Sequence, residues 1–248
     1  MNDKVFNKLL LLARPAAGKS EIIAYLSNLP LNERISKYHI GKLEVIDDFP
    51  MLWTWFEEDS ILEQMGYNRL FTDQKGYFLY EYLWDLLIEK IDLENHKLQS
   101  NHTDKSDGIT TIIEFSRGKE HGGFRRAFSH LKPEILKDSA ILYVNVSWNE
   151  SLRKNRSRFN PDRPDSILQH SLPDEKLMKL YYETDWEEII SSNPEFIKIN
   201  DHQIPYIIFE NEDDVTTPQA EALGQRLRER LSILWEIYHR SVNQVDIS

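Results

Sequence analysis

Blocks of consecutive apolar residues alternate with stretches whose apolar positions recur every three or four residues. That alternation sets the expected fold. Residues 5–13 (VFNKLLLLA) end in an unbroken block from Leu9 to Ala13. Comparable blocks run from Ile109 to Phe115 (ITTIIEF), Ala140 to Val146 (AILYVNV) and Ile204 to Phe209 (IPYIIF). A shorter one, Leu43-Glu44-Val45-Ile46, ends in Asp47-Asp48-Phe49-Pro50. Apolar runs of strand length with little polar alternation predict strands buried on both faces, as in a parallel sheet. Between them the spacing predicts helices over 18–29 (closed by Pro30), 124–137 and 174–191, and a basic helix and loop over 150–165. A long C-terminal helix is opened by Thr217-Pro218 and carries Leu223, Leu227, Leu231 and Leu234 on one stripe. Residues 51–100 differ in character, being helical and rich in aromatics, and SNHTDKSDG at 100–108 is a polar loop. The expected architecture is an α/β fold in three layers, a parallel sheet with helices on both faces, with 1–248 as one domain and 51–100 inserted into it.

The junction of the first strand and first helix, KLLLLARPAAGKS, carries the clearest chemistry. It follows the Walker A pattern G-x-x-x-x-G-K-[S/T] as Ala13-Arg14-Pro15-Ala16-Ala17-Gly18-Lys19-Ser20. In such a loop successive backbone N–H groups and the start of a helix wrap a phosphate. Lys19 would reach the β and γ phosphates, and the Ser20 hydroxyl would hold Mg²⁺. Alanine replaces glycine at positions 13 and 16, which makes any positive φ there costly. The apolar run is too short for a secretion signal and Arg14 follows it at once, so the segment is expected to be folded protein.

In a parallel α/β sheet ligands sit beyond the carboxyl ends of the strands. Those ends are polar here: Lys19 and Ser20 after the first strand, Asp47 and Asp48 after the second, Glu114 and Arg117 after the third, Ser147 after the fourth. Composition narrows the partners. A net charge of −11 over 248 residues argues against a nucleic-acid or anionic-membrane surface, and there is no cysteine for disulfides, thiolate metal sites or nucleophiles. The eight histidines show no metal-ligand spacing. No apolar run approaches membrane-spanning length, so the expected setting is cytoplasmic.

Taken together, the loop at 13–20, the acidic end Asp47-Asp48, the strand TTIIEFSRG at 110–118 and the arginines after the fourth strand resemble the nucleoside and nucleotide kinase branch of P-loop proteins. That branch includes adenylate-kinase-like, shikimate-kinase-like and deoxynucleoside-kinase-like enzymes. The resemblance implies ATP or another NTP with Mg²⁺ as donor and a small-molecule phosphate acceptor. It also implies a lid over 150–166, in which Arg153, Arg156, Arg158 and Arg163 meet the phosphates. Arg14, Ala16, Ala17, Gly18, Lys19 and Ser20 would bind the nucleotide. Asp47 or Asp48 would accept the acceptor's proton or hold Mg²⁺ through water, with Ser20 and Asp47 as the metal residues. Glu114 and Arg117 match in position a carboxylate and arginine that pair with substrate, and 211–215 lies where related proteins contact the base. The insertion 51–100 falls where the family carries its acceptor-binding helices, with Arg69 a candidate for an acceptor phosphate. Its Trp53, Trp55, Phe56, Tyr67, Phe71, Tyr77, Tyr80 and Trp84 suit either stacking on an aromatic acceptor or the core of a helical subdomain. The residues also leave open a structural ion pair for Glu114 and Arg117, a turn cap for Asp48 and a solvated basic face for the lid arginines. A nucleotide-binding regulatory module, an NTPase whose acceptor is water, and a homodimer remain alternatives at this level.

Overall fold

A computed structural model describes residues 4–101, 108–158 and 171–245. The elements in order are β1 (Lys8–Ala13), α1 (Lys19–Asn28), α2 (Leu31–Tyr38), β2 (Lys42–Asp47), α3 (Asp48–Gln64), α4 (Tyr82–Asn101) and β3 (Ile109–Phe115). They continue as α5 (Gly123–His130), α6 (Pro133–Leu136), β4 (Ser139–Asn145), α7 (Trp148–Arg158), α8 (Asp174–Tyr181), α9 (Trp186–Ile190), β5 (Phe196–Ile199), β6 (His202–Glu210) and α10 (Glu221–Val245).

The strands form one sheet in the order β2-β3-β1-β4-β6-β5. Every pairing is parallel except β5 with β6. All six residues of β1 are buried, as a central strand covered on both faces requires. Alternate side chains feed two cores. Leu9 and Leu11 meet α1 and α10 through Ile22, Leu26, Leu227 and Leu231, while Leu10 and Leu12 meet the opposite layer through Ile88, Ile91, Phe124 and Phe128. This is the expected three-layer α/β arrangement. The chain leaves β1 toward β2 and, after β3, crosses β1 to reach β4, so the crevice lies at the carboxyl ends of β1 and β3.

Several element boundaries depart from expectation, each for a local reason. The helix expected over 124–137 is two, because Pro133 restarts it, and the one expected over 174–191 breaks between Tyr181 and Trp186. The C-terminal helix starts at Glu221 rather than Pro218, since Gln219 takes φ +49 inside a turn. Helix α2 and edge strand β5 were not anticipated. The basic helix ends, within the described residues, at Arg158. The remainder of the expected lid, with Arg163, lies outside the described residues.

The 51–100 region is a helix pair, α3 and α4, joined by 65–81. Asp59, fully buried, holds that connection by accepting N–H bonds from Leu70, Phe71 and Thr72 and the Thr72 hydroxyl. Trp55 stacks on Phe71 at 5.2 Å beside Leu83 and Leu87, so these two aromatics are subdomain core. Tyr67 is exposed. Among the described residues no helix is long and apolar enough to cross a membrane.

Candidate functional site

The loop after β1 adopts a cradle. Ala13 ends the strand without a positive φ, so alanine there is tolerated, whereas Ala16 takes φ +58 and Gly18 φ +114. Left-handed backbone disfavours a Cβ by about 1–2 kcal/mol, and Ala16 carries that cost. Relief of that strain outweighs the added freedom of the unfolded chain by about 1 kcal/mol, so Ala16→Gly is expected to raise Tm by about 2–4 °C in a thermal melt. Gly18 is fixed by space as well as by φ. A Cβ on it would lie 2.5 Å from Thr216 Oγ1 and 2.8 Å from Asn211 Nδ2. Asn211 donates through Nδ2 to the Ala17 carbonyl, and the Ser151 hydroxyl donates to the Pro15 carbonyl. Two neighbouring elements thus hold the loop in shape. Among the described residues no N–H group from Ala16 to Ser20 makes a close hydrogen bond, that of Ala17 only closing the turn over Pro15 and Ala16, although Ala16, Ala17 and Lys19 are buried residues. Ala16, Lys19 and Ser20 line a cavity, and a run of unpaired N–H groups there, continuing into the first turn of a helix, is suited to an anion.

The acidic strand ends converge on the same place. β2 and β3 run in register, with Asp47 opposite Glu114, so their side chains share a face. Lys19 Nζ lies 3.6 Å from Glu114 Oε1 and donates to the Ser116 hydroxyl at 2.7 Å. Arg117, 2% exposed, donates to Asp48 at 2.5 Å and to the Ser116 carbonyl at 2.7 Å, and its guanidinium lies 5.4 Å from the Trp84 and Phe115 rings. Asp47 caps α3 by accepting the Phe49 N–H. Two cations thus face three carboxylates, and Asp47 is the one left over. Burial, then the charges of Glu114 and Asp48, push its pKa up to about 7, and burial pushes Glu114 up as well.

A metal-free prediction follows for Asp47. Its folded pKa lies above its unfolded value, so the folded state holds the proton longer and stability declines as pH rises from about 4 to about 7. Asp47→Asn keeps the cap and removes the charge. In EDTA it should melt higher than the parent at pH 8 and no differently near pH 4, and a lower melting point at pH 8 would contradict the crowding.

Lys19, Asp47, Asp48, Glu114, Arg117 and Arg158 line one cavity of about 410 Å³, together with Ala16 and Ser20. Arg158 also reaches Glu21 at 3.1 Å. The other expected arginines among the described residues point elsewhere. Arg153 pairs with Glu150 and Asp214, Arg156 with Asp174, and Arg14 donates to the Tyr181 and Tyr182 carbonyls. The expected base-contacting segment is tied down in part: Asp214 accepts from Lys154 at 2.5 Å, and Asp213 pairs with Arg226. Ser147 bonds Glu212. Arg69 is taken up by Glu63, Asp59 and Thr72. A second cavity of about 520 Å³ shares Phe49, Leu52, Trp84 and Tyr181 with the first and lies within the size range of small-molecule sites.

Ser116, Lys154, Asn211 and Thr216 position the loop or its lysine and were not singled out from the sequence. Ser116 and Lys154 stand inside the quoted segments TTIIEFSRG and Arg153–Arg158. The pairings of Asn211 and Thr216 are visible only in three dimensions. Among the described residues no group of three or more His, Asp or Glu side chains is arranged to hold a metal on its own. A magnesium ion carried by phosphates needs only one or two protein oxygens, and the hydroxyl and carboxylate donors beside the loop fit such a hard cation.

No family model matches this chain, and no curated protein matches it. Among solved structures, an unliganded sugar kinase from Janibacter sp. is 14% identical with a TM-score of 0.35, over 98% of this chain and 96% of that one. A shikimate kinase from Acinetobacter baumannii, in complex with shikimate, is 13% identical with a TM-score of 0.30, over 71% of this chain and 76% of that one. Both superpose loosely, and the architecture stands on the strand order and register of the chain itself.

Proposed function

We propose that this chain transfers the γ-phosphoryl group of ATP·Mg²⁺ to a hydroxyl or phosphate on a small-molecule acceptor. The observation that carries the reading is the run of N–H groups from Ala16 to Ser20 that have no close acceptor among the described residues, next to the buried Lys19. These amides would bind the donor's phosphates, and Lys19 would turn from Glu114 and Ser116 toward them. Mg²⁺, when bound, supplies charge neutralisation on the phosphate oxygens, held by the Ser20 hydroxyl and, through water, Asp47. As Lys19 turns away, the charge of Arg158, which opposes the effect of burial on Glu114, would keep that carboxylate ionised, and its raised proton affinity suits it to accept the acceptor's proton as a general base. Arg117 holds the Asp48 carboxylate in place, and Arg158 supplies a guanidinium to the cavity lining.

The test is a screen of hydroxyl and phosphate compounds with ATP and Mg²⁺, read by mass spectrometry for a phosphorylated product. Product dependent on Glu114, and reduced about 10²-fold or more in Glu114→Gln, supports the reading. Release of inorganic phosphate at a rate unaffected by every acceptor would replace it with simple NTP hydrolysis.

A further inference from the structure

The second cavity is walled by rings. Phe49, Trp53 and Phe56 come from α3, Tyr77 and Tyr80 from the connection, and Trp84 from α4. Lys176 of α8 enters it half-buried, and its ammonium has unusual company. It donates to the carbonyls of Lys75 and Gly76 and lies 5.2 Å from the Phe56 ring centroid and 5.1 Å from that of Tyr77. Among the described residues no carboxylate forms an ion pair with it. Asp73 is the opposing charge that acts on it, and the Asp73 carboxylate already accepts the N–H groups of Lys75 and Tyr77. Lys179, 4.6 Å from the Tyr77 centroid, has among the described residues only a long 3.9 Å ion pair with Glu120.

A partly desolvated ammonium normally acquires a carboxylate or sheds its proton. Here burial pulls the Lys176 pKa down, and the charge of Asp73 offsets it only in part, with carbonyl dipoles and ring faces as its nearest company. The lining sets Arg69, Lys75, Lys176 and Lys179 against Glu81 and Glu120, so a cationic ligand would meet an excess of like charge, and a small neutral polyol would leave the rings unused. A flat ring with an anionic substituent uses both features, since the ring stacks on the aromatic wall and the anion takes the remaining N–H of Lys176. We infer that this cavity binds the phosphate acceptor as a planar aromatic compound bearing a carboxylate or phosphate, with Lys176 as its anion-recognition residue. The assignment rests on the phosphoryl-transfer reading for the role of acceptor. The cavities share Phe49, Leu52, Trp84 and Tyr181, so a ligand anchored at Lys176 can extend toward Asp47 and Glu114.

Calorimetric titration separates the possibilities without turnover. The probes are 6-hydroxy-2-naphthoate, 2-naphthyl phosphate and the neutral 6-hydroxy-2-naphthamide, added to the parent chain and to Lys176→Met, Lys176→Arg and Lys19→Met. At least one anion should bind about tenfold or more tightly than the amide, the worth of a charge-assisted hydrogen bond. The gap should vanish in Lys176→Met and persist in Lys176→Arg and Lys19→Met. Lys176→Gln replaces the methionine variant if that one fails to fold. The tighter of the two anions identifies the carboxylate or phosphate class. No saturable binding, equal binding of the amide, or a gap that survives Lys176→Met overturns the assignment. A gap lost in Lys19→Met places the anion in the phosphate loop and overturns it too. A Lys176-dependent gap in a protein that never phosphorylates any acceptor leaves the cavity assigned and rejects the kinase reading instead.

Discussion

Lys19→Met should lower kcat for phosphoryl transfer by about 10³-fold while leaving the fold in place. Charge builds on the transferring phosphoryl oxygens, and a preorganised cation removed from a dry site costs about 3–4 kcal/mol of transition-state stabilisation. The site is dry, since Lys19 and Glu114 are 6% and 8% exposed. The substitution also takes away the partner 3.6 Å from Glu114. That carboxyl can then keep its proton, burial already favouring the neutral form, so the damage to stability is limited near neutral pH. The two effects separate on a plate: steady-state rates report the first, and melting curves at pH 6 and pH 8 the second. Melting should worsen toward pH 8, where Glu114 is asked to ionise without its lysine. A variant with parental turnover would remove Lys19 from the chemistry.

Arg117→Leu should produce the largest loss of stability of any single change around the crevice, about 3–5 kcal/mol. Arg117 is almost wholly enclosed, and its guanidinium is shared among Asp48, the Ser116 and Trp84 carbonyls and the ring faces of Trp84 and Phe115. Leucine fills part of the space but leaves Asp48, 7% exposed, with an unpaired carboxylate beside Asp47 and Glu114. For a chain of this size the loss amounts to a fall in Tm of roughly 10 °C. Adding Asp48→Asn should recover a substantial part of it, because the orphaned charge dominates the penalty. A double variant as unstable as the single would show that packing against Trp84, not the ion pair, is what Arg117 supplies.

The parts of this arrangement that were legible in the sequence are those set by local rules. β1 and its loop were visible because LLLLA is too apolar for any exposed element, and because Gly18-Lys19-Ser20 changes composition abruptly. The Leu223, Leu227, Leu231 and Leu234 stripe marked α10 by its period, and all four are buried. That helix starts at Glu221, later than Thr217-Pro218, a good helix opening in isolation, predicts. Instead, the Asp214 carboxylate takes the Thr217 hydroxyl and holds the segment in a turn. Helix α2 (LNERISKY) carries too few apolar residues to announce itself, and β5 (FIKI) is a four-residue edge strand, shorter than any pattern can mark.

Within the site, the strand-end rule brought forward Asp47, Asp48, Glu114 and Arg117, which do converge with Lys19 on one cavity. It could not say which carboxylate pairs with which cation. That depends on the β2–β3 register, which places Asp47 opposite Glu114, and on the reach of Arg117 to Asp48. The arginines of α7 shared a spacing but not a direction. Only Arg158 of the three reaches the cavity lining, since Arg153 and Arg156 meet acids supplied by the loop after β6 and by α8. Long-range acids decide where a basic helix points, and no local pattern encodes them. The aromatic set of 51–100 divided for a similar reason: Trp55 and Phe71 pack inward, while Trp53, Phe56, Tyr77, Tyr80 and Trp84 face the second cavity.

A crystal of the protein grown with a non-hydrolysable ATP analogue and Mg²⁺ puts the loop itself to the question. The account predicts β- and γ-phosphate oxygens within hydrogen-bond reach of the backbone nitrogens between Ala16 and Ser20, with the Lys19 ammonium moved off Glu114 onto them. Nucleotide lodged elsewhere, with Lys19 still resting on Glu114 and Ser116 and those nitrogens facing only solvent, would contradict it.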